Sequence, residues 1–571
     1  ETRILYAPGD QSFLETASYL HDILRRSTGF DLQMEESAGD QAEENTILLS
    51  KSSMADYEEE GYFLMVEENG VTIRAYSAAG AFYGVQSLLQ LLPYQVFSDT
   101  TVEGIEWTAP GVVVRDKPAY EWRGVMLDCS RQFFPVDVLK RLLDHMAVNK
   151  LNVLHWHLTD DTGWRFEVDG YPNLTTIGAT WQNSTLPDNG KTLYYTKEEI
   201  RELVAYAESL HITIVPEFEV PSHSIAALLS YPELMCEGAS LPPDMVVSDA
   251  ATQWKVDPLI LTPMCPTKQE SIDFMHAVID ELAELFPGEY IHFGGDEVQD
   301  AGRTGSWDHC PTCQAVMEEK GYTSSLELQR YLAEDLRDYA ASKGKKVMGW
   351  SEVFNHGPIE RIALTDWIGG GKAAIQAGCP AIFAPTAHSY LDYYENPGDP
   401  VASGGNCSLQ SVYEYDPMPE GLTPGQEELV LGTEGVLWTH ILRNEEEMNF
   451  LLFPRLCAVA ERGWTETENK DFDDFLQRME QHFGRLHLMG IGFNIPEPIL
   501  NISTNEDGTR VLTIDNPAPY SSIIRYAIDG EVEETSPVYE GPVVLPDGYR
   551  VVKAKAFMDR YESQTVATEQ T

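Results

Sequence analysis

The chain has 571 residues, enough for roughly three to four domains at the usual one to two hundred residues each. Hydrophobic residues make up 43% and charged residues 23%, which excludes a disordered or collagen-like chain. Acidic residues outnumber basic ones by 91 to 39, a net charge of -52. A surface of that sign repels phosphate backbones and anionic headgroups, so no nucleic-acid partner is expected, and the acidity reads first as a solvated surface. No apolar run approaches the roughly 18 to 20 residues needed to cross a bilayer.

Residues 1–117 mix strand-like and helix-like stretches into a small α/β domain. ILYAP is followed by a helical SFLETASYLHDILRRS, then by the strands TILLS, GYFLMVEE and GVTIRAYS, and by a helix over AAGAFYGVQSLLQLLP that ends at Pro93. No catalytic cluster is visible there. From 118 to 495 eight short apolar strands alternate with amphipathic helices. The strands begin near Arg123, Asn152, Thr213, Tyr290, Lys346, Ala363, Ala381 and Glu428. This is the order of an α/β protein of the (β/α)8 TIM-barrel class. Residues 496–571 carry short alternating strands with DG, SP and PDG turns, a small all-β sandwich-like module.

A barrel enzyme keeps its site at the C-terminal strand ends. Polar and aromatic residues crowd those ends here: Asp128 and Arg131, His157 to Asp161, Glu217 to His223, Asp296 and Glu297, Trp350, Trp367, Tyr390, Asp392, Trp438 and His440. The densest stretch is His292-Phe-Gly-Gly-Asp-Glu297, two glycines followed by adjacent carboxylates. Paired carboxylates suit acid/base work on a glycosidic bond. In a regular strand neighbouring side chains point to opposite faces, so Asp296 and Glu297 are not expected to flank a sugar as nucleophile and acid.

Eight cysteines are sparse for this length and do not form a disulfide framework. Cys310-Pro-Thr-Cys313 has no second pair at zinc-ribbon spacing, so it reads as a local disulfide or two loop thiols rather than a metal site. Four Asn-x-Ser/Thr triplets begin at Asn173, Asn183, Asn406 and Asn501 and decide nothing about function.

RGVMLDCSR, HWHLTDDTGWRFE, PEFEVPSHS, HFGGDEV and MGWSEV, in this order, closely resemble the β-N-acetylhexosaminidases of glycoside hydrolase family 20. The likeness extends to EGYFLMV and FYGVQSLLQLLP near the start and, more weakly, to the β-rich end. It implies an exo-acting, retaining enzyme that removes terminal β-linked GlcNAc, or also GalNAc, from an oligosaccharide or glycoconjugate, with no metal or organic cofactor. The resemblance also implies a substrate-assisted exception to two-carboxylate hydrolysis, the sugar's own 2-acetamido oxygen being the nucleophile. The resemblance makes Glu297 the general acid/base, Asp296 the acceptor of the acetamide N–H and Tyr390 the donor to the acetamide oxygen. It matches Arg123 to the arginine on the sugar's 3- and 4-hydroxyls, Trp350, Trp367 and Trp438 to the aromatic walls and floor, and Asp392 to a residue near the 6-hydroxyl. His223, with Asp160 or Asp161, matches a pair supporting the acid. By analogy with the family the enzyme is expected to be secreted or extracellular.

Other readings compete. Tryptophans at strand ends are most often core residues. His155-Trp-His157 resembles the metal pair of barrel amidohydrolases and would suit a metal-dependent hydrolase, while intact Asp296 and Glu297 argue against a non-catalytic glycan-binding protein. Two departures from the family pattern stand out. Pro221-Ser222-His223 replaces Pro-Gly-His, and His440 stands where a glutamate is expected to accept hydrogen bonds from the 4- and 6-hydroxyls. A histidine accepts only when neutral, so weaker discrimination between 4-epimers is expected. A 6-sulfo-GlcNAc specificity ranks lower, because Asp392 would repel the sulfate.

Overall fold

A computed structural model describes residues 2–53, 57–179, 193–239, 263–298, 306–558 and 561–569. The Asn183 triplet lies outside them. Eight parallel strands close into a barrel in sequence order: Trp122–Asp128, Val153–His157, Thr213–Glu217, Tyr290–His292, Lys346–Trp350, Ile362–Asp366, Ala381–Phe383 and Val430–Leu437, the last pairing with the first. Each overlaps the strand expected from sequence, the first and sixth starting one residue earlier. Helices Val136–Val148, Lys197–Ser209, Gln269–Leu285 and Leu328–Ser342 follow the strands as amphipathic stretches whose apolar stripes are buried. Thr196 and Glu199 start the second of them with a reciprocal capping box, satisfying backbone N–H groups that the helix leaves without partners.

The barrel interior changes character along its axis. Near the lower end Trp122, Val153, Val215, Met348, Ala363 and Ile382 form an apolar layer. Two residues further along the same strands, on the same inward face, stand His155, Glu217 and Trp350. The packed base thus gives way to a polar floor under the C-terminal mouth. Among the described residues no helix is long and apolar enough to cross a membrane.

The N-terminal unit is a six-stranded mixed sheet, in the order Gln33–Glu36, Arg3–Tyr6, Thr46–Lys51, Gly70–Ala75, Tyr62–Val66, Val112–Asp116. Helices Gln11–Thr28 and Ala78–Leu91 pack against it. Asp10 caps the first helix through the Ser12 N–H at 3.1 Å, and Gly29, at φ 76°, ends it in the left-handed region that glycine enters without steric cost. The C-terminal unit is two small antiparallel sheets, one of Ile499–Thr504, Arg510–Asp515 and Val543–Val544, the other built around Val551–Met558. It is pinned to helix Phe472–Leu488 by Tyr520 against Phe483, ring centroids 5.0 Å apart.

The role expected of Arg123 does not survive the fold. Arg123 is the second residue of the first barrel strand, so it lies at the N-terminal rim, the end opposite the mouth, and is fully buried. Its guanidinium makes a two-pronged pair with Glu60 at 2.8 and 3.0 Å, donates to Tyr83 Oη at 3.2 Å and to the Lys150 carbonyl at 2.9 Å, and lies over the Trp464 ring. Asn152 also reaches Glu60, and Trp464 donates to Asp116. Arg123 is therefore the bolt between the N-terminal sheet and the barrel base. Arg123→Ala, which strands the Glu60 carboxylate, is expected to cost about 3 to 5 kcal/mol in unfolding free energy. Denaturant melts should show that loss, while KM for the substrate stays near wild type below the transition.

Candidate active site

Glu217, fully buried at the end of the third strand, organises the floor of the mouth. Its Oε2 lies 2.6 Å from His157 Nδ1 and 2.9 Å from His155 Nε2, and its Oε1 lies 3.0 Å from His292 Nδ1 and accepts from Trp350 Nε1 at 2.8 Å. The second nitrogen of each flanking ring also faces a carboxylate, His155 Nδ1 towards Glu434 at 3.1 Å and His157 Nε2 towards Asp160 at 3.0 Å. Burial opposes charge on these rings, yet Glu434 and Glu217 hold His155 up at about 9, and Glu217 with Asp160 holds His157 up at about 10. The His155-Trp-His157 pair is thus part of an ion-pair network with Glu217, Glu434 and Asp160.

The fourth strand ends at His292, earlier than expected, so Asp296 and Glu297 stand on a loop. Gly294, Gly295 and Glu297 all adopt left-handed backbone, at φ 69°, 86° and 49°. The loop turns tightly over Glu219: the Gly295 N–H donates to Glu219 Oε1 at 2.8 Å, and a Cβ on Gly294 would lie 1.9 Å from that carboxylate. The two glycines thus bring the backbone down onto Glu219. Because the alternation of a strand does not apply here, Asp296 and Glu297 face the same imidazole, His223 Nε2 lying 3.7 Å from one and 3.3 Å from the other. The expectation of opposite faces fails for that reason.

His223 is itself held by both candidate carboxylates, its Nδ1 lying 3.2 Å from Asp161 and 3.5 Å from Asp160. Against the cost of burial, Asp160 and its neighbours keep His223 protonated, well above the usual imidazole range. The consequences for the pair diverge. The His223 contact lowers Glu297, whose side chain is 49% exposed, whereas burial pushes Asp296 up to about 7. Glu219, beneath them, is raised well above the carboxylate range by burial and the nearby Asp296 and Glu217 charges. The raised pKa that a general acid needs thus falls on Asp296 rather than Glu297, with the cation at Glu297's side as the cause.

Trp350, Trp367, Trp438 and Tyr390 come together in one aromatic cluster at the mouth. Trp367 stacks on Tyr390, centroids 5.9 Å apart at 20°, and Trp438 lies 5.8 Å from Trp350 and 6.5 Å from Tyr390. Burial keeps the Tyr390 phenol protonated and able to donate. Asp392, buried and bonded by Ser403 at 3.3 Å, is pushed up to about 7 by desolvation. His440 follows Thr439, whose N–H donates to Asp128 at 3.2 Å; burial and the Arg131 charge lower the imidazole to about 4.

Two further residues belong to this mouth. Arg131 pairs with Asp160 at 2.8 Å and Asp128 at 3.2 Å and lies 4.9 Å over the Trp438 ring. It is the cation at the mouth that Arg123 was expected to be, and its place just past the end of the first strand was the legible signal. Glu352 accepts from the Glu297 N–H at 3.4 Å and from Trp367 Nε1 at 2.9 Å, tying the acidic loop to the aromatic wall. Only its position two residues after Trp350 marked it.

Comparison with known proteins gives the family. Glycosyl hydrolase family 20, catalytic domain, matches residues 120–467, and the same family's domain 2 matches residues 1–117. The chain belongs to glycosyl hydrolase family 20. Among similar proteins, a β-hexosaminidase of Porphyromonas gingivalis is 36% identical over 91% of this chain and 67% of its own length, and a β-N-acetylhexosaminidase of Cellulomonas fimi is 33% identical over 81% and 85%. The chain spans 65% of the β-hexosaminidase of Vibrio furnissii, to which it is 34% identical over 71% of its own length. The solved β-N-acetylhexosaminidase of Streptomyces coelicolor superposes with a TM-score of 0.73 at 32% identity, covering 87% of this chain and 93% of that one. This family 20 chain is a glycoside hydrolase, and its relatives support exo β-N-acetylhexosaminidase activity.

With Asp296 and Glu297 as the expected acting pair, kcat/KM reports the pair's macroscopic constants in the free enzyme. A bell-shaped profile is expected. Activity falls above about pH 7, where Asp296 gives up the pair's last proton, and falls again below the ordinary glutamate range as Glu297 is protonated too. Initial rates at low substrate across pH 3 to 9 check this.

Proposed function

We propose that the chain is a retaining exo-β-N-acetylhexosaminidase in which the substrate's acetamide is the nucleophile and Asp296, Glu297 and Tyr390 are the acting side chains. One observation carries this reading. Asp296 Oδ1 is buried without a hydrogen-bond partner among the described residues, in the mouth that the aromatic cluster of Trp350, Trp367, Trp438 and Tyr390 walls. A buried acceptor lacking a donor costs about 1 to 3 kcal/mol, and an amide N–H beside an apolar methyl group satisfies both features at once.

The acetamide N–H donates to Asp296, and the Tyr390 hydroxyl donates to the acetamide oxygen, which fixes that oxygen below the anomeric carbon. A donor on Asp296 and the positive charge that grows on the acetamide both favour ionised Asp296. Bound sugar also displaces water from half-exposed Glu297, which favours its protonated form. Occupancy therefore moves the pair's proton from Asp296 to Glu297, where it is needed. As the acetamide oxygen bonds to C1, the glycosidic C–O bond breaks and Glu297 gives its proton to the departing oxygen. Glu297, now a carboxylate, takes a proton from the water that attacks C1 and reopens the ring, and the β configuration is restored.

Terminal GlcNAc as the sugar is supported by a solved aspartate-to-alanine variant of the Streptomyces plicatus β-hexosaminidase in complex with GlcNAc as product, 33% identical over 87% of this chain. Arg131, between Asp128 and Asp160, supplies the fork of donors suited to vicinal hydroxyls. His440, lowered to about 4, is neutral through the mildly acidic range, so it accepts from a hydroxyl but offers a sulfate no charge. That favours relaxed 4-epimer recognition over a 6-sulfo specificity.

Two experiments test the reading. Wild type is expected to cut aryl β-GlcNAc and not aryl β-glucoside, and Asp296→Asn to lose at least about 100-fold in kcat; equal cleavage of both sugars would overturn acetamide participation. His440→Glu is expected to raise the GlcNAc-to-GalNAc ratio of kcat/KM several-fold, and an unchanged ratio would remove His440 from sugar recognition.

A further inference from the structure

The fold brings Cys310 and Cys313 to two cysteines that lie far away in sequence. Cys236 sits in the loop after the third barrel strand, Cys265 closes that loop before helix Gln269–Leu285, and Cys310 and Cys313 open helix Pro311–Lys320 in the loop after the fourth strand. The sulfurs of Cys236 and Cys313 are 3.8 Å apart, those of Cys265 and Cys313 3.7 Å, and those of Cys265 and Cys310 4.0 Å. All four thiols lie within 4.8 Å of one another, all are buried, and none forms a disulfide. The local disulfide expected for Cys310 and Cys313 is not formed; both are free thiols, and Cys236 and Cys265 lie beside them.

These distances have a direct meaning. Zinc holds thiolates at about 2.3 Å, and four sulfurs on a tetrahedron of that radius stand about 3.8 Å apart. We propose that Cys236, Cys265, Cys310 and Cys313 form a structural zinc site of the closed four-thiolate type.

The surroundings suit a metal thiolate. Two ligands begin the same tripeptide, Cys265-Pro-Thr267 and Cys310-Pro-Thr312. Thr267 Oγ1 lies 3.2 Å from Cys313 Sγ and Thr312 Oγ1 3.2 Å from Cys310 Sγ, hydroxyls placed to donate to the sulfurs. Backbone N–H groups of Thr267, Cys313 and Glu237 are also directed at Cys265 and Cys310. Such outer donors orient ligands and spread their negative charge. Trp307 and Leu328, both buried, close an apolar shell around the group. An all-sulfur donor set selects a soft or borderline ion over calcium or magnesium, and four protein ligands leave no open position, so the site is structural. Binding releases a proton from each thiol to solvent, and no oxidant is involved.

Its position gives it a task. The loop it closes on one side carries Glu219 and His223, and the loop it closes on the other begins with Asp296 and Glu297. The metal is a staple behind the His223 to Glu297 contact, joining the segments that follow the third and fourth strands.

The test uses the full chain purified under reducing conditions with added Zn2+. Elemental analysis is expected to give one zinc per chain, released by a mercurial thiol reagent, and Co2+ exchange to give the absorption of tetrahedral cobalt thiolate. Cys236→Ala should lose the metal and lower Tm by several degrees. Cys236→His, which restores a ligand, should keep zinc with an altered cobalt spectrum, and Cys379→Ala, outside the group, should change neither. Zinc below about one tenth of an equivalent after exposure to Zn2+, or a metal-free chain lighter by the four hydrogens of two disulfides, would overturn the site.

Discussion

The carboxylate of Glu217 is the point on which the site depends. It stands fully buried where the barrel's apolar packing ends, and it draws His155, His157, His292 and Trp350 onto its two oxygens. An isolated carboxylate could not be buried there, because desolvation alone would neutralise it. With protonated His155 and His157 beside it, it stays well below the usual carboxylate range and becomes a fixed anchor. From that anchor the network runs outward through His157 to Asp160, and through Asp160 to Arg131 and His223. Each step is a charge paired with its opposite in low dielectric, where such pairs are strongest and where removing one partner is most costly.

This network is what makes two adjacent carboxylates different. His223, kept cationic by Asp160 and Asp161, reaches the exposed Glu297 more closely than the buried Asp296, so the resting proton of the pair sits on Asp296. On the mechanism proposed above, the substrate's N–H stabilises ionised Asp296 and its bulk takes Glu297 out of water. The left-handed turn over Glu219 needs glycine at 294, where a Cβ would collide with the Glu219 carboxylate.

The same fold also separates stability from chemistry. Arg123 lies near the start of the first strand and Arg131 just past its end, eight positions apart, yet one bolts the N-terminal sheet to the barrel base and the other lines the mouth. The cysteine group does for two loops what Arg123 does for two domains, holding parts that the barrel hydrogen bonds do not reach.

Much was legible from sequence alone. The eight strands, the two flanking units and the crowd of polar and aromatic residues at strand ends follow from local periodicity, because alternating apolar patterns and amphipathic helices are properties of a few neighbouring residues. The HFGGDEV and WSEV motifs placed Asp296, Glu297 and Trp350 for the same reason. What sequence could not decide were relations between distant segments. Which end of the first strand holds the working arginine depends on strand direction in the closed barrel. Which carboxylate carries the proton depends on an imidazole that arrives from another loop. Whether Cys310 and Cys313 stand alone depends on Cys236 and Cys265, the latter 45 positions before Cys310. Spacing within a motif is set by local backbone geometry, but the electrostatics and coordination of a buried group are set by everything packed around it, and only the tertiary structure brings those groups within reach.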